Sequence, residues 1–296
     1  MLKRVGRQWP LIVATVLLLP LILYAQLCLQ RPPHTLTQQT LFPGISYQRS
    51  VHSSPRPYIL HLITLDLTAP GIRAFTTPGR PTEDRGETTA RTTSEFLQEF
   101  DLQLAINANY FYPFREKAPW DFYPHAGDRV KLVGQAISNG NAYASAEAEW
   151  PALCISPANR AQISETGECP VGTAQAVAGR DLLILNNNPV ALKGEPESDQ
   201  PYSRTAVAAN KTGDTLWLAV VDGKQPLYSE GITLAELTEV FKQLGVDTAL
   251  CLDGGGSSTL VVKTGSRPTV LNAPSHTKIP MRERPVANHL GFYAQK

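Results

Sequence analysis

Apolar residues in this chain gather into short runs closed by turn residues, and most runs have the length of strands. Tyr58 to Leu67 is one, ended by Ala69-Pro70-Gly71, and Ile72 to Thr76 begins another. Comparable runs occupy Leu102 to Ile106, Ala152 to Ser156, Gln175 to Ala178, Asp181 to Leu185 and Val190 to Leu192. Thr205 to Ala209 and Thr215 to Val221 flank Asn210-Lys211-Thr212-Gly213-Asp214, which predicts a hairpin. Thr248 to Leu252, Leu260 to Val262 and Val286 to Tyr293 complete the expected strands. Helical spacing is rarer. Leu234, Leu237, Val240, Phe241 and Leu244 recur at three and four residues, Thr233 with Glu236 makes a capping box, and Gly245 closes the element, so Thr233 to Leu244 predicts a helix. Thr92-x-x-Glu95 ahead of Phe96-Leu97-x-x-Phe100 predicts a shorter one. Residues 78–92 read as an exposed polar loop, and 112–150, rich in aromatics, proline, glycine and asparagine, as a long irregular excursion. With no regular βαβ alternation, the order of elements points to one α+β domain on mixed and antiparallel sheets, spanning 46–296.

The N-terminus follows a different pattern. Lys3, Arg4 and Arg7 precede a nearly unbroken apolar segment from Leu11 to Leu29, interrupted by Pro20 and Gln26. A basic stretch followed by an apolar one is an export signal. Its length exceeds a signal-peptide core of roughly 7 to 15 residues, which favours a retained signal anchor over residues 1–30 above a cleaved signal peptide. The positive charge before the segment then places everything after Gln30 outside the cytoplasm. Residues 31–45, with Arg31-Pro32-Pro33, have the composition of a linker.

Composition narrows the function without naming it. The chain has 296 residues, 42% of them hydrophobic, enough to bury a substantial core. A formal net charge of +1 leaves no electrostatic footprint for nucleic acid, so any anionic ligand must be held by local arginines. Beyond the anchor three cysteines remain. Cys154 and Cys169 enclose a short polar segment resembling a hairpin loop, and outside the cytoplasm they are expected to form a disulfide. Cys251 sits within an apolar run and reads as a buried thiol.

Candidate chemistry collects at strand ends. Asp253-Gly254-Gly255-Gly256-Ser257-Ser258-Thr259 lies between two apolar runs, so a buried strand delivers one carboxylate into a loop whose backbone another molecule can approach. Asp253 is the expected acid, base or electrostatic stabiliser. The alternative is an aspartate capping its own turn. Asp222 ends a strand in the same manner and is the candidate second carboxylate, the equal alternative being a plain hairpin turn. Arg204 is the first choice for gripping an anionic group with its planar fork, the alternative being a structural ion pair, and Arg284 has a similar expected role unless it belongs to a solvated charged turn with Arg282 and Glu283. Asn107 and Asn109 share one side of an extended strand, where they suit sugar hydroxyls or, alternatively, satisfy buried backbone near the sheet edge. Gly254, Gly255 and Gly256 offer amides, Ser257 and Ser258 hydroxyls, with no G-x-S-x-G elbow to make either serine a nucleophile. Tyr110, Phe111, Trp120 and Tyr123 are candidates for a carbohydrate platform. The histidines show no H-E-x-x-H or comparable spacing, so neither a metal nor another cofactor is expected.

The pieces Asn107-Ala108-Asn109-Tyr110-Phe111, Tyr202-Ser203-Arg204-Thr205-Ala206-Val207, Val221-Asp222-Gly223, Gly231-Ile232-Thr233-Leu234, Leu252-Asp253-Gly254-Gly255-Gly256-Ser257-Ser258 and Arg284-Pro285-Val286-x-Asn288 occur in this order. In that set and order the chain resembles the phosphodiester glycosidase family over roughly residues 58–294. The resemblance implies hydrolysis of a sugar-1-phosphodiester, with N-acetylglucosamine-1-phosphodiesters the first to expect, acting on envelope glycans or exopolysaccharide. The partners implied are a sugar-phosphate or glycan substrate and, through the anchor, a membrane. Two other readings stay open: a non-catalytic envelope protein binding anionic glycans, and a phosphodiesterase breaking P–O instead of C–O.

Overall fold

The computed structural model describes residue 15 and residues 18–83, 86–192 and 199–295. Its largest sheet has eight strands among the described residues, in the order Thr37–Phe42, Ile45–His52, Tyr58–Asp66, Thr215–Val221, Arg204–Ala209, Thr248–Cys251, Asp181–Leu185 and Asn188–Pro189. A five-stranded sheet, Arg267–Val270, Leu260–Thr264, Leu104–Asn107, His289–Tyr293 and Arg73–Thr76, faces it.

The period-two pattern decides which sheet face is buried against which layer. Ile63, Leu65, Val207, Leu218 and Leu250 point from the large sheet to Leu104, Ile106, Leu260 and Phe292 of the second, forming the main core. The intervening residues, Leu60, Leu62, Ala206, Ala208 and Ala219, point the other way and are covered by Leu237 and Phe241 of the Leu234–Gln243 helix. That helix begins as expected: the Thr233 side chain accepts from the Glu236 amide at 3.1 Å while Glu236 accepts from the Thr233 amide at 2.9 Å. The Thr93–Glu99 helix has the same capping box at Thr92.

Pairing is more uniform than expected. Every strand ladder among the described residues is antiparallel, and the parallel contact between Ser275 and Arg282 is an isolated bridge, so the fold is β-rich and not built on mixed sheets. Residues 31–45 are not wholly linker, since Thr37–Phe42 and Ile45–His52 form the edge hairpin of the large sheet. Residues 112–150 are not irregular either. Arg115–Ala118 pairs with Asp121–Tyr123, Arg129–Leu132 joins the four-stranded sheet, and Ala136–Ser138 with Asn141–Ala144 joins a second five-stranded one. These strands are three or four residues long, too short for an apolar run to mark them. The loop expected over 78–92 likewise contains the paired strands Arg80–Pro81 and Gly86–Thr89.

Cys154 and Cys169 are joined in a disulfide that closes the hairpin of Ala152–Ile155 and Ala161–Ser164, with Cα atoms 5.6 Å apart. Much of the N-terminal segment expected to be a signal anchor lies outside the described residues. Residues 18–29 are helical and expose Leu18, Leu19, Leu21, Ile22 and Leu23. Among the described residues no helix is long and apolar enough to cross a membrane.

Candidate active site

Four chain segments meet where Thr248–Cys251 leaves the large sheet. Leu252 donates its amide to the Thr205 carbonyl at 2.8 Å and Asp253 donates its own to Ala108 at 3.0 Å, which fixes the exit of the strand between two neighbours. Asn107 fastens both ends of the following loop. Its Nδ2 donates to the Asp253 carbonyl at 2.6 Å, and its Oδ1 accepts from the Thr259 amide at 3.1 Å and the Thr205 hydroxyl at 2.9 Å. The loop then turns through a short 3-10 segment at Gly255–Ser257.

The glycines are needed for proximity. A Cβ on Gly254 or Gly255 would meet Ser203 or Tyr202, and one on Gly223 or Gly231 would strike the Tyr202-Ser203 backbone from other sides. Four glycines drawn from three separate motifs therefore cradle one dipeptide. Gly255 and Gly231 also adopt positive φ, at 63° and 99°, which a side chain would strain. Gly256 lies against Arg284, whose Nη2 would be 2.5 Å from an added Cβ.

Asp253 lines an inner cavity of about 270 Å³ together with Tyr110, Phe111, Phe114, Tyr202, Arg204 and Arg284. Burial pushes its carboxyl up to about 6, against the opposing pull of the Ser257 hydroxyl, Arg284 and the Gly254 amide. Arg284 is held from several sides: Nη1 donates to Ser257 Oγ at 3.2 Å, Nη2 donates to Glu116, Nε lies 3.3 Å from His276 Nδ1, and Phe114 stacks under the guanidinium at 4.5 Å. Burial raises the Glu116 carboxyl, but Arg284 and His276 outweigh it and hold the group below the ordinary glutamate range. Burial and Arg284 lower His276 to about 4, so the imidazole is neutral at neutral pH. Arg204 is anchored through Nη2 to Asp199 at 3.3 Å and to the Gln200 carbonyl at 3.1 Å. Asp199 in turn accepts from the Leu234 and Ala235 amides at 2.8 and 3.0 Å, tying the arginine to a helix start.

The structure thus gathers Asp253, Arg204, Arg284 and Gly254 at one cavity, and sets other expected site residues elsewhere. Asp222 is fully enclosed: its Oδ2 lies 3.1 Å from His61 Nε2, and its Oδ1 accepts from Asn272 Nδ2 at 3.1 Å and the Ala273 amide at 2.8 Å. Expected as a second carboxylate of the site, it does not line this cavity, and its polar atoms are spent on His61, Asn272 and Ala273. Asn107 and Asn109 follow the alternative of satisfying buried backbone. Asn109 donates to the Val133 and Gln135 carbonyls and accepts from the Ala178 amide and Asn288, so both asparagines spend their polar atoms on neighbouring chain segments instead of a sugar. Ser258 is buried with its hydroxyl unpartnered among the described residues and does not line the cavity. Ser257 acts through Asp253 and Arg284. Of the glycine amides, that of Gly254 is directed to the Asp253 carboxylate and that of Gly255 donates to the Ser203 carbonyl at 2.9 Å. Tyr110 and Phe111 line the cavity, whereas Trp120 is 82% exposed and Tyr123 donates to the Arg129 carbonyl. Cys251 is buried, and burial lifts its thiol to about 12, which removes it as a nucleophile.

The site also contains Glu116, His276, Phe114 and Tyr202, which sequence reasoning does not pick out as site residues. Glu116 stands in Arg115-Glu116-Lys117, which looks like any solvated charge run, and only the fold turns it toward Arg284.

A half-buried carboxyl sharing a cavity with two fixed guanidiniums and aromatic rings defines a class of site suited to acid–base chemistry on an anionic substrate. The chain belongs to the phosphodiester glycosidase family, whose sequence profile matches residues 100–293. No curated protein matches it. Among solved structures it is similar to the zebrafish N-acetylglucosamine-1-phosphodiester alpha-N-acetylglucosaminidase catalytic domain auto-inhibited by pro-peptide, with TM-score 0.60 and 17% identity over 91% of this chain and 93% of that one. A hypothetical protein from Synechocystis gives TM-score 0.61 and 15% identity over 90% of this chain, which spans 64% of that protein's length. A putative exported protein from Burkholderia pseudomallei gives 0.58 and 13% over 88% and 97%. At these identities the likeness shows the fold.

Proposed function

We propose that the protein is a hydrolase cleaving sugar-1-phosphodiesters, with Asp253 as its proton donor. The observation that carries this reading is the Asp253 carboxyl, lifted by burial to about 6 inside a cavity that also presents Arg204 and Arg284. The two guanidiniums neutralise the diester, and a carboxyl near 6 is still partly protonated when substrate binds. Water attacks the anomeric carbon, the C1–O bond breaks, the bridging oxygen leaves as part of a phosphate monoester, taking the Asp253 proton, and the proton shed by the attacking water passes to solvent, from which Asp253 is reprotonated. Developing positive charge on the sugar ring is compatible with Tyr110 and Phe111 against the cavity wall. N-acetylglucosamine-1-phosphodiesters are the first substrates to test, because the zebrafish structure bears that activity in its name.

The Cys154–Cys169 disulfide supports an oxidising, extracytoplasmic compartment, and the apolar segment around residues 11–29 supports attachment to a membrane, with envelope glycans or exopolysaccharide as the material acted on. Sugar release from a panel of sugar-1-phosphodiesters, with Asp253→Asn alongside, tests the reading. Turnover abolished in the variant supports it; absence of turnover across the panel by a folded protein favours a glycan-binding role. Hydrolysis in oxygen-18 water separates the two cleavages, since label in the sugar means C–O cleavage and label in the phosphate means P–O cleavage.

A further inference from the structure

The inner cavity opens beside a second, much larger space. Phe114, Tyr202 and Arg284 belong to the walls of both, so the two adjoin at these side chains. The inner cavity, at about 270 Å³, falls just under the range of roughly 300–1,000 Å³ typical of small-molecule sites and has room for one sugar unit. The outer cleft, at about 1200 Å³, exceeds that range and has room for several more.

Charge distinguishes the cleft from the rest of the molecule. On a chain of net charge +1, the described residues of its walls carry four cations, Arg31, Lys224, Lys278 and Arg284, against two carboxylates, Glu116 and Glu230. Glu116 is already paired with Arg284. Among the described residues no carboxylate forms an ion pair with Lys224 or Lys278. Lys224 is placed by an aromatic contact, with its Nζ 3.9 Å from the Tyr202 ring centre at the junction of the two spaces. Arg31 sits over Tyr228 on the far wall, 5.0 Å from the ring centre. The backbone around these groups is unusual: Lys224, Leu227 and Lys278 take positive φ of 57°, 65° and 62°. Such conformations in non-glycine residues cluster where a binding surface over-determines them.

We infer that the outer cleft is the aglycone subsite of this enzyme and receives a polyanionic chain, so that the substrate is a sugar unit joined through its phosphodiester to a polymer bearing further phosphates or carboxylates. Asp253 and its arginines take the terminal sugar and its phosphate, while Lys224, Lys278 and Arg31 meet the following anionic groups. This rests on the hydrolase reading, from which its test is separable.

Two substrates sharing one sugar, a methyl phosphodiester and a glycerol-phosphate oligomer diester, are compared in the full chain and in Lys224→Gln/Lys278→Gln. The oligomer is expected to have the lower KM, lost with added salt, and its KM relative to that of the methyl diester should rise about tenfold in the double variant. Equal KM values for both substrates, and an unmoved ratio in the variant, overturn the inference while leaving the hydrolase intact. Calorimetric titration with an unhydrolysable glycerol-phosphate oligomer and with an oligouronate reads the subsite without turnover and tells phosphate from carboxylate. Binding of either, weakened in the double variant, in a protein that hydrolyses none of the diesters overturns the hydrolase reading and retains the anionic cleft. Binding of neither overturns the subsite.

Discussion

Burial and charge pull Asp253 in opposite directions, and burial prevails: the carboxyl stands at about 6 although Arg284, Ser257 and the Gly254 amide all favour its ionised form. This fixes two signs. For activity, a proton donor of this kind loses competence as pH rises, so kcat should fall through about pH 6; a rate that climbs through the same range would assign Asp253 the work of a base. For stability, a carboxyl raised above its unfolded value of 3.8 contributes fully below that value and loses the contribution as pH rises through about 6. Asp253→Asn should therefore be more stable than the native chain above about pH 7, by on the order of 1–2 kcal/mol, and indistinguishable from it below about pH 4. Urea unfolding at both pH values measures the difference. Gly256 yields a second expectation. Alanine there is conformationally ordinary but meets the Arg284 guanidinium, so Gly256→Ala should keep the fold and lower kcat/KM by roughly tenfold or more, as misplacement of a charged contact does. Unchanged kinetics would show that Arg284 yields at no cost.

At the scale of elements, the motifs legible in the sequence turn out to be packing devices as much as chemistry. Gly223 of Val221-Asp222-Gly223, the turn residue Gly231, and Gly254-Gly255 converge on Tyr202-Ser203, and Asp199 links Arg204 to the Leu234–Gln243 helix. The strand ends carrying Asp253 and Arg204 were legible because long apolar runs deliver them. Asp222 occupies an equivalent sequence context and yet faces His61 and Asn272, because the direction of a side chain beyond a strand end is set by the neighbours it meets, which the local pattern does not contain. Glu116 was illegible for the converse reason. Its strand, Arg115–Ala118, is exposed and charged, and it becomes part of the site only through contact with Arg284, far away in sequence. The Ala152–Ile155 and Ala161–Ser164 hairpin provides the element's own prediction. The disulfide closes a loop with a sequence separation of 15, for which chain entropy gives about 3 kcal/mol. Cys154→Ser/Cys169→Ser should lose about that much in equilibrium unfolding, and an equal loss on adding reductant to the native chain would assign it to the bond itself.

Across the whole molecule, the sequence conveyed the layering of sheets less well than the strands. Antiparallel pairing requires knowing partners such as Thr215–Val221 with Tyr58–Asp66, which lie far apart along the chain, whereas the apolar alternation of each strand is local. The N-terminal segment joins the site to the question of location. Residues 18–29 form a helix whose Leu18, Leu19, Leu21, Ile22 and Leu23 are each half exposed or more, while Tyr24 and Cys28 of the same helix line the outer cleft. Contiguous apolar exposure of this kind is costly in water and marks a surface that another apolar phase covers. If that phase is a bilayer, the cleft opens close to it. The full chain should then float with phospholipid vesicles in a density gradient and stay with them in high salt, since apolar insertion is not screened, whereas attachment through Arg31, Lys224 and Lys278 alone would be released. Recovery of the protein away from the vesicles at every salt concentration would rule out membrane attachment and leave the exposed helix to a protein partner.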